Sequence, residues 1–163
     1  MQKEYLMEEI KNIPLTDEEM KDWPHPGVVK LGPSFSDPRG VIQPLVDRVM
    51  KSAIMITSKA GSLRANHYHK TDWHYCYVVS GKIEYFHRPT GSEIEPELIV
   101  VEPGEMVFTP PFVDHGMKFP EDTVFFTLSR NYRDQKLYEE DVVRIDMLSQ
   151  EGYTSWLPDD GET

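Results

Sequence analysis

The chain has 163 residues, 39% of them hydrophobic and three of them tryptophan, which is enough for one folded domain with a sizeable core. Its formal charge of -11 argues against non-specific binding to nucleic acid or anionic lipid, which needs clustered lysine and arginine. No apolar run approaches the roughly 20 residues of a membrane-spanning helix, and the charged start MQKEYLMEEIKN lacks the apolar centre of a secretory signal. Cys76 is the one cysteine, so no intrachain disulfide can form; a buried thiol in a soluble, cytoplasmic domain is expected.

In chain order, residues 4–12 read as a short helix ended by Pro14, and Thr16 as the cap of a second turn. Residues 23–38 carry Pro24, Pro26, Pro33 and Pro38, which favours an extended, wrapping arm over a helix. Asp37-Pro38-Arg39-Gly40 reads as a turn. Strands are then expected at residues 41–46, 53–58, 63–69, 75–79, 83–87, 97–101, 105–109, 116–119 and 123–129, separated by glycine and proline signals. The runs on either side of Ser80-Gly81 read as a hairpin. Many short strands at this spacing imply an all-β sandwich or barrel, about residues 41–130. An arm over residues 1–38 and an extension over 131–163 complete a single domain. The extension is charged and mixed in pattern, with a helix or edge strand around residues 138–147 and an acidic tail from Pro158.

Chemistry concentrates between Gly61 and Gly81, GSLRANHYHKTDWHYCYVVSG, which holds three of the six histidines. His67 and His69 are two apart and so share one face of a strand. His74 opens the next strand, and Asp72 beside it reads as a solvated turn residue. A second cluster, Gly104 to Pro110 followed by Asp114-His115-Gly116, brings a fourth histidine that a closed β structure could set against the other three. Four imidazoles at one place could hold a divalent transition metal such as Zn, Fe or Ni, or serve as bases near their ordinary pKa of about 6.5. If all four ligate a metal, none is free as the base; the sequence leaves that choice open.

These residues resemble the two cupin motifs. Gly61, His67, His69 and Gly81 fit the first, with His74 where that motif has an acidic ligand. Gly104, Pro110 and His115 fit the second, with Phe112 in place of its glycine and Phe119 in place of its terminal asparagine. The resemblance implies a jelly-roll β-barrel, here with a short N-terminal helical segment. Asp37-Pro38-Arg39-Gly40, Arg64-Ala65-Asn66-His67 and His115-Gly116 further resemble the sugar-nucleotide cupins: dTDP-4-keto-sugar epimerases, 3,4-ketoisomerases and capsular-polysaccharide cupins. That likeness implies an isomerase or epimerase of a nucleotide-activated keto sugar in surface-polysaccharide synthesis, working as a homodimer without organic cofactor. Arg64 would hold phosphate, and His67 or His69 would act on the sugar; Trp73 and Tyr77 read from their residue types as core or pocket wall, with stacking on a sugar or base as their binding role. The tyrosine acid of the 3,5-epimerases has no counterpart, because Phe126 and Thr127 stand near its place. Two alternatives stay open: a metal-dependent cupin oxygenase or lyase of a small molecule, with His67, His69, His74 and His115 as ligands, and a non-catalytic sugar-nucleotide-binding module.

Overall fold

A computed structural model describes residues 11–25 and 27–155. The expected helix over residues 4–12 and the tail from residue 158 fall almost wholly outside them. The chain opens with α1 (Asp17–Met20), followed by β1 (Gly27–Val28), β2 (Phe35–Asp37) and β3 (Gly40–Ile42). Then come β4 (Ser52–Ser58), β5 (Leu63–His69), β6 (His74–Ser80), β7 (Ile83–Pro89) and β8 (Glu97–Val101). β9 (Met106–Thr109), β10 (Val113–Lys118) and β11 (Thr123–Ser129) complete the barrel, and α2 (Gln135–Asp141) and β12 (Val142–Arg144) follow.

Two five-stranded antiparallel sheets face each other, in the orders β1-β9-β6-β11-β4 and β12-β5-β10-β7-β8, with β2 and β3 as a separate hairpin. Their facing sides enclose Cys76, Val78, Ile83, Tyr85, Val107, Met117, Phe119 and Phe125, all buried. The other face of the first sheet is covered too: Trp73, Tyr75, Met106 and Phe108 lie under Leu15, Trp23, Leu31, Val46 and Met50. β6 is therefore apolar at every position from Tyr75 to Val78, because both its faces are buried.

The proline-rich arm does wrap rather than coil. Thr16 caps α1 in a reciprocal box with Glu19. Glu19 also accepts from Trp73 Nε1 at 2.6 Å and pairs with the Arg130 guanidinium, which in turn donates to the carbonyls of Ile13 and Pro14. These bonds tie the arm to the end of β11.

Three boundaries differ from the sequence reading. The strand expected at residues 41–46 ends at Ile42, where Gln43-Pro44 leaves the pairing; proline has no N–H for a ladder. β10 starts three residues before Gly116. The turn at Ser80-Gly81 does not close a hairpin: β6 pairs with β9 and β11 in one sheet, while β7 pairs with β8 and β10 in the other. It is a corner between sheets. Gly81 has φ 83, and a Cβ there would stand 2.3 Å from the Asp122 carbonyl oxygen, so only glycine fits.

Candidate functional site

β5 presents the first three residues of interest through a local irregularity. Arg64 and His67 are three apart, which on a regular strand puts them on opposite faces. Ala65 and Asn66 instead take φ 62 and 60, and the register against β10 shifts: Met117 opposes Arg64, while His115 opposes His67. The extra residue restores parity, so Arg64 and His67 face the same way as the core residue Met117. Arg64 reaches across to the first sheet, its Nε donating to Ser58 Oγ at 2.6 Å and its Nη2 to the Thr57 carbonyl at 3.0 Å. Asn66, an amide residue that tolerates positive φ, is held by two bonds with the Leu148 backbone, 3.1 and 2.9 Å.

All four histidines are buried, at 9% (His67), 4% (His69), 5% (His74) and 1% (His115) exposure. Their rings form one cluster, with centroids 4.8 Å apart for His67–His69, 4.7 Å for His67–His115, 5.3 Å for His69–His74 and 5.4 Å for His74–His115. Two triads bring donor atoms within 4.8 Å of one another: His67, His69 and His115, and, sharing His69, the set His69, Asp72 and His74. Among the described residues the structure therefore groups three of the four expected histidines directly, with His74 alongside.

Two of the four Nδ1 atoms are spoken for. His115 Nδ1 donates to the Val113 carbonyl at 2.9 Å, and His69 Nδ1 lies 3.0 Å from Asp141 Oδ2. In these two rings Nε2 is the nitrogen left outside those bonds. Burial, then the fields of His115, His69, His74 and Arg144, hold His67 well below the usual histidine range; burial, then His74 and His69, do the same for His115.

Asp141 is a part of the site that the sequence did not reveal. It is 3% exposed and accepts from His69, from the Thr71 amide at 2.7 Å and from the Thr71 hydroxyl. Burial raises its pKa, but the His69 and Thr71 hydrogen bonds outweigh that and lower it. Asp72 corrects the expectation of a solvated turn residue. It is 8% exposed, accepts from the Asn131 amide at 2.8 Å, and lies 3.7 Å from His74 Nδ1.

A cavity of about 590 Å³ reaches this cluster, with Arg64, His67, Arg133, Tyr138, Glu139 and Arg144 in its wall. His67 is the histidine on this wall. Tyr138, on α2, stacks edge-on against His67 and His69 at 6.2 and 5.8 Å. Trp73 and Tyr77 are not among the lining residues: Trp73 is 4% exposed within the cluster under the N-terminal arm, and Tyr77 packs beside it. No helix among the described residues is long and apolar enough to cross a membrane.

The sequence matches no protein-family model and no curated protein. Solved structures do match it, and they share its fold, a jelly roll of two facing antiparallel sheets. One is the 3,4-ketoisomerase QdtA from Thermoanaerobacterium thermosaccharolyticum in complex with TDP, at TM-score 0.59 and 21% identity over 72% of this chain and 86% of that one. Another is the dTDP-4-dehydrorhamnose 3,5-epimerase from Sulfolobus tokodaii, at 0.56 and 18% over 77% and 78%. A third is the capsular polysaccharide assembling protein CapF from Staphylococcus aureus, at 0.54 and 21% over 73% of this chain and 34% of that one.

Proposed function

We propose that this chain is an isomerase or epimerase of a nucleotide-activated keto sugar in surface-polysaccharide synthesis. One observation carries the reading: the β5 bulge sets Arg64 and His67 on the same face, lining one cavity. A guanidinium suits a phosphate group, and a neutral imidazole beside it suits removal of a proton α to a carbonyl. The likeness to folds solved with TDP and with TDP-4-keto-6-deoxyglucose supports the same substrate class. In this reading Arg64 holds phosphate, and His67, kept neutral by burial, takes the proton from carbon. His69, oriented by Asp141, stands behind it. Trp73 and Tyr77, away from the cavity wall, support the sheet. Titration with dTDP tests the binding half: Arg64→Ala is expected to weaken binding at least tenfold and His67→Ala less than threefold. Equal affinity in Arg64→Ala and unmutated protein would remove Arg64 from the site.

A second reading is favoured by the Nε2 of His115, which is buried without a hydrogen-bond partner among the described residues while Nδ1 is occupied. That is the donor arrangement of a metal-ligating imidazole, as is a carboxylate behind His69. His67, His69 and His115, with His74 beside them, would hold a divalent Zn, Fe or Ni ion, which when bound supplies Lewis acidity toward a carbonyl oxygen. A His67 that ligates metal cannot also take the proton. Metal content after purification without a histidine tag separates the readings. At least half an equivalent, lost in His67→Ala/His69→Ala, supports the metal; less than a tenth of an equivalent after reconstitution overturns it.

A homodimer in the cytoplasm belongs to the same proposal. The β2–β3 hairpin is a sheet of its own and exposes Phe35 (59%), Val41 (65%) and Ile42 (65%). An isolated hairpin is marginal in water, and a second copy of the chain would cover these side chains.

A further inference from the structure

We propose that Tyr138 is the proton donor of this site, an inference that rests on the reading of His67 as the base for a keto sugar. Removing a proton next to a carbonyl leaves negative charge on the carbonyl oxygen, and an O–H placed there lowers the barrier by delivering its proton as the charge forms. The strand residues that line the cavity, Leu63 to His67 and Arg144, carry no hydroxyl. Phe126 lies opposite Tyr77, outside the cavity wall, and the Thr127 hydroxyl faces Cys76 Sγ at 3.6 Å.

The C-terminal extension fills that gap. Of the groups lining the cavity, several are already engaged: the Asn66 amide with Leu148, Gln135 with Glu139, and the Ser155 hydroxyl with Gln150. Tyr138 lines the same wall as Arg64 and His67 and is in ring contact with His67, and its hydroxyl has no hydrogen-bond partner among the described residues. The Arg133 guanidinium covers its ring at 3.8 Å and helps to hold it against the cavity wall.

The helix holds Tyr138 in place. Asp134 caps α2 by accepting from the Leu137 amide at 3.1 Å, and Leu137 is buried beneath. Tyr138 and Asp141 are three apart, so both face the histidines; the Asp141 bond to His69 fixes the rotation of the helix. On the same wall Glu139 is clamped by Arg144 at 2.8 and 2.9 Å.

The step balances without any further reactant. His67 takes the proton from the carbon, the C–H electron pair becomes the C=C bond of the enol, and the carbonyl oxygen takes the proton of Tyr138. Imidazolium and phenolate result, and the reverse transfers at the neighbouring carbon restore both residues.

Tyr138→Phe removes the hydroxyl and keeps the ring contacts. With TDP-4-keto-6-deoxyglucose in deuterated water, the unmutated protein is expected to wash deuterium into the carbon next to the carbonyl. Tyr138→Phe is expected to do so about 100-fold or more slowly. KM, dTDP affinity and thermal midpoint should stay within twofold or about 2 °C, which a merely structural role would not allow. A Tyr138→Phe rate within threefold of the unmutated protein overturns the role of Tyr138 alone and leaves His67 standing. No exchange by the unmutated protein overturns both. Should Tyr138→Phe misfold, Tyr138→Leu and Tyr138→Gln in parallel decide it: if either folds and keeps exchange, the donor is not Tyr138.

Discussion

Phe112 and the imidazoles of His67 and His115 show what single residues contribute. The second motif has Phe112 where the cupin pattern has glycine, and the structure keeps the backbone that glycine would favour, with φ 55. Its amide donates to the His69 carbonyl at 2.9 Å, so the strained turn anchors the end of β5. Left-handed backbone costs a non-glycine residue about 1–2 kcal/mol, and the 52%-exposed ring has little packing to lose. Phe112→Gly is therefore expected to stabilise the protein by about 1 kcal/mol in urea unfolding. A loss of stability would show that the ring contact with Tyr68 matters more than the backbone. His67 and His115 set a pH dependence. Unfolded, each takes a proton near pH 6.5; folded, burial first and then the neighbouring imidazoles keep both neutral well below that. The unfolded chain thus binds more protons below pH 6.5, so this contribution to stability is full above that value and falls as pH drops below it. A thermal midpoint unchanged between pH 7 and 5 would contradict the assignment. The histidines themselves were legible, because two motifs fix their spacing. Asp141 and Tyr138 were not: they lie some 70 residues further on, in a segment without periodicity, and only the folded C-terminal extension brings them to the cluster.

At the scale of elements, the β5 bulge and the α1 anchor carry the most weight. Asn66→Ala removes both side-chain bonds to Leu148 and an easy left-handed residue, and is expected to cost about 2 kcal/mol. Because the bulge sets the parity of Arg64 against His67, the same change should weaken dTDP binding although Asn66 itself is bound to Leu148. Full dTDP affinity in a destabilised Asn66→Ala would separate the bulge from the site. Glu19→Ala leaves the buried Arg130 guanidinium and Trp73 Nε1 short of an acceptor, so it should cost about 2–3 kcal/mol, against about 1 kcal/mol for Thr16→Ala. Equal losses would mean that the cap, not the ion pair, holds the arm. Strand positions were readable because alternation and turn residues mark them locally. Pairing was not. The glycine turn after β6 looks the same whether it closes a hairpin or turns a corner, and only the crowding of Gly81 against Asp122 distinguishes the two. The bulge was invisible for a similar reason, since Ala65 carries no signal for positive φ.

For the whole molecule, the two-sheet barrel follows from strand density, and the C-terminal extension adapts it by closing the cavity over the histidines. Gly116 shows how tightly that extension packs: a Cβ there would stand 2.5 Å from Leu148 Cδ1. Gly116→Val is thus expected to lift the extension off the barrel. In the proposed homodimer a second copy covers the exposed β2–β3 hairpin, so light scattering should give twice the 18.9 kDa chain mass at micromolar concentration. Phe35→Asp/Ile42→Asp should shift it toward the monomer, and a monomeric unmutated protein would leave that hairpin without its proposed partner. The proposed activity turns on proton transfer at His67. Its most direct measurement is proton exchange into TDP-4-keto-6-deoxyglucose in deuterated water, followed at the carbons flanking the carbonyl. Time-dependent deuterium incorporation is expected with the unmutated protein, and at least a 100-fold slower rate in His67→Ala at unchanged dTDP affinity. Incorporation that persists in His67→Ala, or that never exceeds the protein-free control, would contradict it.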